Sequence, residues 1–330
     1  MGGTLTAGLD PRVKIWKFED REKWLDYHKQ VITASGAAAL CPDIRSYDSR
    51  HSLALKMLGL YTEEFKDEDI LEAGLRMEPL IARWFADKTE LPADDPGEYT
   101  MFQHPDYPFL AATLDRLTTN PETGEVIPLE LKAPNAFTLA EWNAGVPLKF
   151  AIQLHVQMMC IGATCGYIAA VVGGQYFRYH FVKRNEALCD AIASSAESFM
   201  GALVRGEIPE PDGTEASTKA LKAAHPKDNK ERVALPLEAV EWFDEWDALD
   251  EEGTVIELAK ATLKNRIKGL LGDNTFGFAP GVEFSWKHQG GKLTKFEVSL
   301  DEAEALRKSG VSYTEKRSPE TRVLRKKRRE

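Results

Sequence analysis

Composition and charge place this chain among ordinary globular proteins. It has 330 residues, of which 43% are hydrophobic and 28% charged, so it can bury a large core in one or two domains. Its four cysteines form no CxxC pair, so we expect them to be reduced thiols. The N-terminal segment lacks the layout of a signal peptide, and no apolar run is long enough to span a membrane. We therefore expect a cytosolic protein. The net charge of −10 by itself would favour a function without nucleic acid, although DNA responds to local surfaces and the last segment, KRSPETRVLRKKRRE, is strongly basic.

The first ninety residues have mainly helical patterns. Residues 19–30 predict a helix, and Thr33 and Ser35 before an alanine run resemble an N-cap that opens a second one; 49–59 predict a third. The apolar spacing of 67–87 predicts an amphipathic helix. Because Pro79 lacks an amide hydrogen, we expect this helix to bend or restart near Glu78 and to turn that carboxylate away from the regular face.

A β-hairpin is predicted in the middle of the chain. The strand-like runs PFLAATLDRLT and VIPLELKAP lie on either side of the turn-rich segment 120–124. An apolar helix at 149–163, two strands at 167–174 and 175–182, and a helix at 185–205 follow. This order predicts an α/β core domain at 1–208 with a central mixed sheet flanked by helices.

The composition changes beyond residue 208. Residues 209–232 predict a polar linker, and 233–330 predict an extension with a helical pair (235–249 and 256–270) followed by short strands. The basic tail has two interpretations that the sequence leaves open. It is either a DNA-contacting surface or a solvated edge strand, at 321–327, whose charges prevent aggregation.

The hairpin carries the candidate catalytic residues. Glu130 and Lys132 are two apart on one strand and therefore share a face, and Asp115 is expected roughly diagonal to Glu130 on the partner strand. Two carboxylates and an ammonium can hold Mg²⁺ and orient a water for phosphodiester hydrolysis. The alternative is an exposed hairpin whose E-x-K pair is a simple salt bridge.

Five segments give the chain a specific resemblance. They are VITASGAAAL (31–40), GLRMEPLIARWF (74–85), HPDYPFLAATLDRL (104–117), PLELKAP (128–134) and FAIQLHVQMMCIG (150–162). In this order and spacing, over residues 20–205, the chain resembles the lambda-exonuclease-like, YqaJ-type viral recombinase family, a branch of the PD-(D/E)xK nucleases. The resemblance implies a restriction-endonuclease-like α/β core.

The resemblance also assigns roles to the candidate site. It makes Asp115 and Glu130 metal-binding carboxylates and Lys132 the water-orienting lysine. Glu78 matches a helical glutamate that completes the metal site, and Gln153 matches a glutamine that contacts the active centre. The implied cofactor is Mg²⁺, with Mn²⁺ as a substitute and two ions per site.

Two other polar residues lie on the helix of Gln153. Gln157 is one turn later on the same face, and we expect it to be structural. His155 points elsewhere and is expected to be a satisfied core histidine rather than a ligand.

A phosphate pocket is implied next to the metal site. Ser35 matches one contact to the DNA 5′-phosphate, and Thr113, two residues before Asp115, occupies the place of a second hydroxyl. Where the family commonly has an arginine, this chain has His28 followed by Lys29, so either could supply the positive charge.

The function implied is a Mg²⁺-dependent deoxyribonuclease: an exonuclease that digests linear double-stranded DNA 5′ to 3′ and leaves single strands for phage-type recombination. Family members act with a single-strand annealing protein and form homo-oligomeric rings, commonly trimers, so the same partners and the cytoplasm of a bacterial host are expected. The alternatives are a structure-specific or restriction-like endonuclease with the same metal site and a non-catalytic protein that binds DNA ends.

Overall fold

The structure is a computed structural model that describes residues 9–41, 44, 46–62, 68–227, 232–279, 282–289 and 321–328. Residues 1–229 and 230–330 form two compact units. The first unit contains the hairpin and all candidate site residues, and the second contains the remainder of the chain.

The first half of the larger unit combines helices with a four-stranded sheet of order β1-β3-β4-β2. In this sheet β2 runs parallel to β4, and β3 pairs antiparallel with both β1 and β4. A single 3₁₀ turn, Ala37–Leu40, follows β2. The elements are β1 (Lys14–Lys17), α1 (Arg21–His28), β2 (Ile32–Thr33), α2 (Arg50–Met57), α3 (Glu68–Thr89), β3 (Thr100–Gln103) and β4 (Leu110–Ala112).

The predicted hairpin is present as two strands of a second sheet, whose order is β5-β6-β7-β8. Its first run, PFLAATLDRLT, is however divided between β4 of the first sheet and β5, so Asp115 lies in the connection and not on the strand as expected. The pairs β5–β6 and β7–β8 are antiparallel, whereas β6–β7 is parallel, so this sheet is mixed as expected. Gly124, with a φ of 72°, adopts the left-handed conformation that the turn needs. The strands are β5 (Arg116–Thr119), β6 (Val126–Lys132), β7 (Cys165–Val172) and β8 (Tyr176–Lys183).

Helices cover both faces of the mixed sheet, as the sequence predicts. They include α4 (Leu139–Ala144), α5 (Leu148–Ile161) and α6 (Glu186–Val204). On one face, Phe85 of α3 packs edge-on against Tyr167 of β7, with ring centroids 5.1 Å apart. On the other face, α5 approaches closely because Gly166 leaves space: a Cβ there would lie 3.0 Å from Leu154. This close approach places α5 directly over β6.

Two local predictions in the first half are wrong. The alanine run forms only the 3₁₀ turn, and Thr33 accepts the N–H of Gly36 at 3.2 Å without opening an α-helix. The helix around Pro79 does not restart, because α3 is one continuous element of 22 residues; the alternative, a bend near Glu78, stays a prediction. The carbonyl of Leu75, which loses its partner at Pro79, belongs to an exposed residue, while Phe85, six residues beyond Pro79, is anchored in the core.

One helix, α6, is long and apolar enough to cross a membrane by length and composition, with a mean hydropathy of 1.3. The bent pair 136–144 and 148–161 passes the same test only as a broken span. However, α6 buries Ile192, Ala196 and Phe199 in the core, and Ser195 donates a hydrogen bond to the carbonyl of Leu40 at 2.9 Å. This packing is typical of a core helix.

Buried thiols and one additional helix complete the first unit. All four cysteines are free, and Cys160, Cys165 and Cys189 are buried, as expected for packing residues. The segment 209–232, expected to be a polar linker, contains α7 (Glu215–Ala224). The hydroxyls of Ser49 and Ser217, 2.8 Å apart, join α7 to α2.

The second unit differs from the expected helical pair. A single helix of 34 residues, α8 (Glu238–Leu271), replaces it. Gly253 lies between the two expected helices, but one glycine costs only about 1 kcal/mol in a helix, which the helix-forming residues around it offset. The small β extension is present as a sheet of order β11-β10-β9, comprising β9 (Phe276–Ala279), β10 (Val282–Gln289) and β11 (Thr321–Arg328). The basic tail thus contains a strand at a sheet edge, as one of its two interpretations expects. The sequence also predicts a strand at KLTKFEVSL (292–300), which lies outside the described residues.

Candidate active site

Asp115 lies in the short connection that leads from β4 into β5. The ladder pairs Arg116 with Leu129, so the residue before Arg116 comes to lie beside Glu130 at the open end of the hairpin. One carboxylate oxygen of Asp115, Oδ2, accepts the backbone N–H of Leu131 at 2.8 Å. The hairpin therefore fixes Asp115 against the strand that carries Glu130 and Lys132.

Glu130 is completely buried, with 0% exposure, in the middle of a nearly all-apolar strand. Its Oε1 accepts the side-chain amide of Gln153 at 2.6 Å and is also paired with the ammonium of Lys132. Its Oε2 accepts the amide of Gln157. Because Gln153 and Gln157 are four residues apart on α5, both reach the carboxylate from the same helix face. A buried charge needs such partners.

The neighbours on α5 differ from the sequence-based expectation in one respect. Gln157, expected to be only structural, contacts Glu130 directly and also donates to the carbonyl of Thr113 at 3.4 Å. The expectation for His155 is confirmed. Its Nδ1 donates to the carbonyl of Ala151 at 2.7 Å, and its Nε2 accepts the backbone N–H of Asn185 at 3.1 Å, so both ring nitrogens are satisfied.

The two carboxylates influence each other electrostatically. Burial, followed by the negative charge of Glu130, raises the pKa of Asp115 well above its ordinary value. Burial acts to lower the pKa of Lys132, but Glu130 and Asp115 together raise it, so the ammonium remains charged. The centre therefore holds more negative than positive charge when both carboxylates are ionised.

Glu78, the fourth predicted member, lies on α3 and is half-buried. Burial raises its pKa, and the charges of Arg116, Glu130 and Lys132 all act on it, which places Glu78 at the margin of the same centre. Its predicted role in completing the metal site stays a prediction.

The donor set fits a hard divalent cation. Among the residues that the structure describes, no three His, Cys, Asp or Glu side chains are gathered closely enough to hold a metal unaided. Mg²⁺ does not require three, because it is commonly held by one or two carboxylates with waters and substrate phosphate as further ligands. Asp115 and Glu130 supply such a pair, and a cation beside them would offset the repulsion that raises the pKa of Asp115.

Ser35 and Thr113 follow the ends of the short parallel pair β2–β4, in which Thr33 is opposite Ala111. Ser35 is exposed, and its hydroxyl is 3.2 Å from that of Thr33. The backbone carbonyl of Thr113 accepts from Gln157, whereas its hydroxyl accepts the indole N–H of Trp24 at 3.3 Å. A common phosphate pocket of Ser35 and Thr113 stays a prediction.

The two candidates for a positive charge in this pocket differ sharply. His28 is packed against Trp24, with ring centroids 4.0 Å apart, and burial lowers its pKa to about 4. Burial therefore favours the neutral imidazole near pH 7, and a role for His28 as the cation of the pocket stays a prediction. Lys29 is exposed and forms an ion pair with Asp26 at 2.8 Å.

A basic and aromatic group beside Lys132 was missed by the sequence analysis. The ammonium of Lys149 lies 4.4 Å from the ring centroid of Tyr47 and 4.8 Å from that of Phe150, and Lys132 lies 5.2 Å from Phe150. Tyr47 is 70% exposed and lines a cleft of about 880 Å³. Lys149 stands four residues before Gln153, a helical spacing that could have drawn attention to it, whereas nothing in the sequence connects Tyr47 with the hairpin.

Comparison with solved structures finds matches at low sequence identity. An alkaline exonuclease from Laribacter hongkongensis is 20% identical, with a TM-score of 0.47, over 56% of this chain and 93% of that protein. A phage-related exonuclease from Haemophilus somnus 129PT is 12% identical, with a TM-score of 0.41, over 53% of this chain and 96% of that one.

Sequence comparison gives a closer assignment. The uncharacterized protein YqaJ of Bacillus subtilis (strain 168) is 23% identical over 272 residues, which is 81% of this chain and 83% of that protein. The family model for the YqaJ-like viral recombinase domain matches residues 23–164, the segment that includes every candidate residue of the metal site and the phosphate pocket. Residues 23–164 are thus similar to the YqaJ-like viral recombinase domain.

Proposed function

We propose that this protein is a Mg²⁺-dependent DNA nuclease. The observation that carries the proposal is the buried carboxylate of Glu130, held by Gln153, Gln157 and Lys132 with Asp115 beside it. A purely structural salt bridge would require Lys132 alone. The additional carboxylate and the two amides favour a site that binds a cation in a defined geometry.

Each residue has a task in this proposal. Asp115 and Glu130 would hold the metal, and Glu78 would contribute from α3. When bound, Mg²⁺ supplies an electrophile that activates water and offsets negative charge on the phosphate. The charged ammonium of Lys132 orients the attacking water, while Gln153 and Gln157 keep the carboxylate of Glu130 fixed.

We infer that digestion starts at DNA ends. The support for this is that the hydroxyls of Ser35 and Thr113 can donate hydrogen bonds to a terminal 5′-phosphate, and that the backbone of Thr113 contacts Gln157, a neighbour of Glu130. Fixing a 5′-phosphate close to the metal favours exonuclease action on linear duplex DNA in the 5′-to-3′ direction. The single strand left behind is the substrate of an annealing protein in recombination.

The proposed biological setting rests on the similarity of residues 23–164 to the YqaJ-like viral recombinase domain. A YqaJ-like viral recombinase domain supports a role in phage-type recombination, in the cytoplasm of a bacterial host, with a single-strand annealing protein as partner. A homo-oligomeric ring, with three copies as the first expectation, would keep the enzyme on its DNA. Mn²⁺ should replace Mg²⁺, and two ions would serve both the attacking and the leaving oxygen.

Digestion of a linear duplex labelled at either end tests the proposal. We expect loss of the 5′-terminal label first, with Mg²⁺ and not with EDTA, and no cutting of a covalently closed circle. Cutting of the circle would indicate the endonuclease alternative. Binding to ends without release of nucleotides would indicate a non-catalytic protein.

A further inference from the structure

The helix α8 has an unusually apolar exposed surface. Its 34 residues extend about 50 Å at 1.5 Å per residue, and every residue from 240 to 266 is exposed. A single exposed helix does not normally carry large apolar side chains in such number. Those of α8 are Val240, Trp242, Phe243, Trp246, Leu249, Val255, Ile256, Leu258, Leu263 and Leu270.

Most of these side chains follow a heptad pattern. Starting from Trp242, one stripe repeats at alternating intervals of four and three residues, the a and d positions of a coiled coil. The stripe comprises Trp242, Trp246, Leu249, Gly253, Ile256, Lys260, Leu263, Ile267 and Leu270. Seven of the nine positions are apolar, and this spacing of seven residues over four heptads is typical of a left-handed coiled coil.

The charges of α8 are divided between its two ends. Residues 238–254 contain eight acidic side chains and no basic one, whereas 255–271 contain four basic side chains and one acidic one. Two such helices side by side in the same direction would oppose Glu245 to Asp250 and Glu252 to Glu257 across the interface. Like charges at those positions disfavour a parallel pair.

An antiparallel pair has the opposite effect, because the acidic half of each helix then faces the basic half of the other. With the two-fold axis near residue 258, Asp250 faces Lys264 of the second copy, and Glu252 faces Arg266 of the second copy. The same register sets Trp246 against Leu270 of the second copy. At the axis, the same register sets Glu257 opposite Glu257 of the second copy, and each of these carboxylates is already paired with Lys260 of its own helix at 2.6 Å.

We propose that α8 binds α8 of a second copy of this chain as an antiparallel two-stranded coiled coil. The small residue Gly253 fits this arrangement, because it faces Leu263 of the second copy and leaves room for that side chain. This contact has two-fold symmetry and uses only the second unit. It is therefore independent of any ring formed by the nuclease cores, and it would join two trimeric rings into an assembly of six.

Measuring the mass of the full-length protein tests the pairing. We expect an even number of copies in the parent at micromolar concentration. Ile256→Glu, in the apolar stripe, should weaken the pairing about 100-fold or more and halve the mass, because it buries a charge in the seam. Leu258→Glu, the matched control on the opposite face, should leave the mass unchanged. Both positions are exposed within one chain, so circular dichroism should report an unchanged fold.

Charge exchange tests the antiparallel direction. Glu252→Arg and Arg266→Glu should each weaken the assembly, and the two together in one chain should restore it. A measured mass that corresponds to a monomer or to an odd number of copies would overturn the proposal. It would indicate that the apolar stripe binds a different protein. Equal effects of Ile256→Glu and Leu258→Glu would overturn it too, and a failure of the double charge exchange to restore the mass would overturn the antiparallel direction. None of these measurements depends on nuclease activity.

Discussion

The side-chain amide of Gln153 donates to Oε1 of Glu130 at 2.6 Å, and this contact joins the helix α5 to the hairpin at the bottom of the proposed metal site. Glu130 is fully buried, so its orientation depends entirely on such partners. The proposed chemistry therefore depends on the packing of α5 against the mixed sheet as much as on the hairpin. The predictions below separate these contributions.

The carboxylates should be essential for cleavage but not for binding. Asp115→Asn and Glu130→Gln keep the shape of each side chain and remove its charge, so we expect Mg²⁺-dependent cleavage to fall by about 10³-fold or more, as in the loss of a metal ligand. Duplex binding measured in Ca²⁺ should persist. Glu122→Gln, in the exposed hairpin turn, is the matched control. Near-normal turnover in Asp115→Asn or Glu130→Gln would refute the assignment.

Lys132 should act by its charge and its position. Lys132→Ala should lower the rate about 10²-fold or more, typical of losing a positioning group for the attacking water. Lys132→Arg keeps the charge but changes the geometry, so a partial recovery is expected. The measurement is the single-turnover rate on a linear duplex, with Lys183→Ala as a control on an exposed strand end. Full activity of Lys132→Ala would show that the lysine is only a counter-ion.

Gln157 should be a positioning residue, since it contacts Glu130 rather than the reacting atoms. Gln157→Leu should raise the Mg²⁺ concentration needed for half-maximal activity by about 10- to 100-fold, the usual range for residues that orient metal ligands. Saturating Mg²⁺ should recover most of the rate. The exposed Gln175→Leu serves as a control. A loss of rate that is equal at all Mg²⁺ concentrations would instead indicate a role outside metal binding.

We expect His28 to make the free energy of unfolding depend on pH, and to leave the preference for 5′-phosphorylated DNA ends independent of pH. Burial lowers its folded-state pKa to about 4 from an ordinary value of 6.5, so the unfolded chain binds a proton more readily between these values. Its contribution, on the order of 3 kcal/mol at most, is complete above pH 6.5 and is lost as pH falls towards 4. Urea unfolding at pH 7.5 and 5 should therefore show a smaller loss for His28→Gln than for the parent.

A companion measurement addresses the phosphate pocket. Because His28 is neutral across the range, the preference for 5′-phosphorylated over 5′-hydroxyl ends should not change between pH 6 and 9. Ser35→Ala should reduce that preference. A preference that grows as pH falls through 6.5 would mean that His28 becomes charged when DNA binds.

Lys149 and Tyr47 should contact DNA beside the metal site. Lys149→Ala should weaken duplex binding and lower the slope of log affinity against log salt by about one, as expected for one phosphate contact. Tyr47→Ala should weaken binding with no change in that slope, because an aromatic ring contributes stacking rather than charge. Lys17→Ala, on the other sheet, is the control. Unchanged affinity in both variants would exclude this surface.

Several features were predictable from the sequence because they depend on local patterns. The hairpin that carries Asp115 and Glu130 follows from two strand-like runs around a turn, and the shared face of Glu130 and Lys132 follows from the two-residue period of a strand. The satisfied state of His155 was likewise anticipated from its place on an apolar helix.

Other features were decided only by the tertiary structure, because they depend on distances between segments remote in sequence. The contact of Gln157 with Glu130 requires α5 to pack on β6, and the approach of Lys149 to Tyr47 joins residues about a hundred positions apart. The neutral state of His28 follows from its burial against Trp24, which the sequence does not reveal. Local sequence patterns thus determined which residues could perform the chemistry. Long-range packing decided the hydrogen-bond partners and the protonation states of these residues, because burial and electrostatics act through space rather than along the chain.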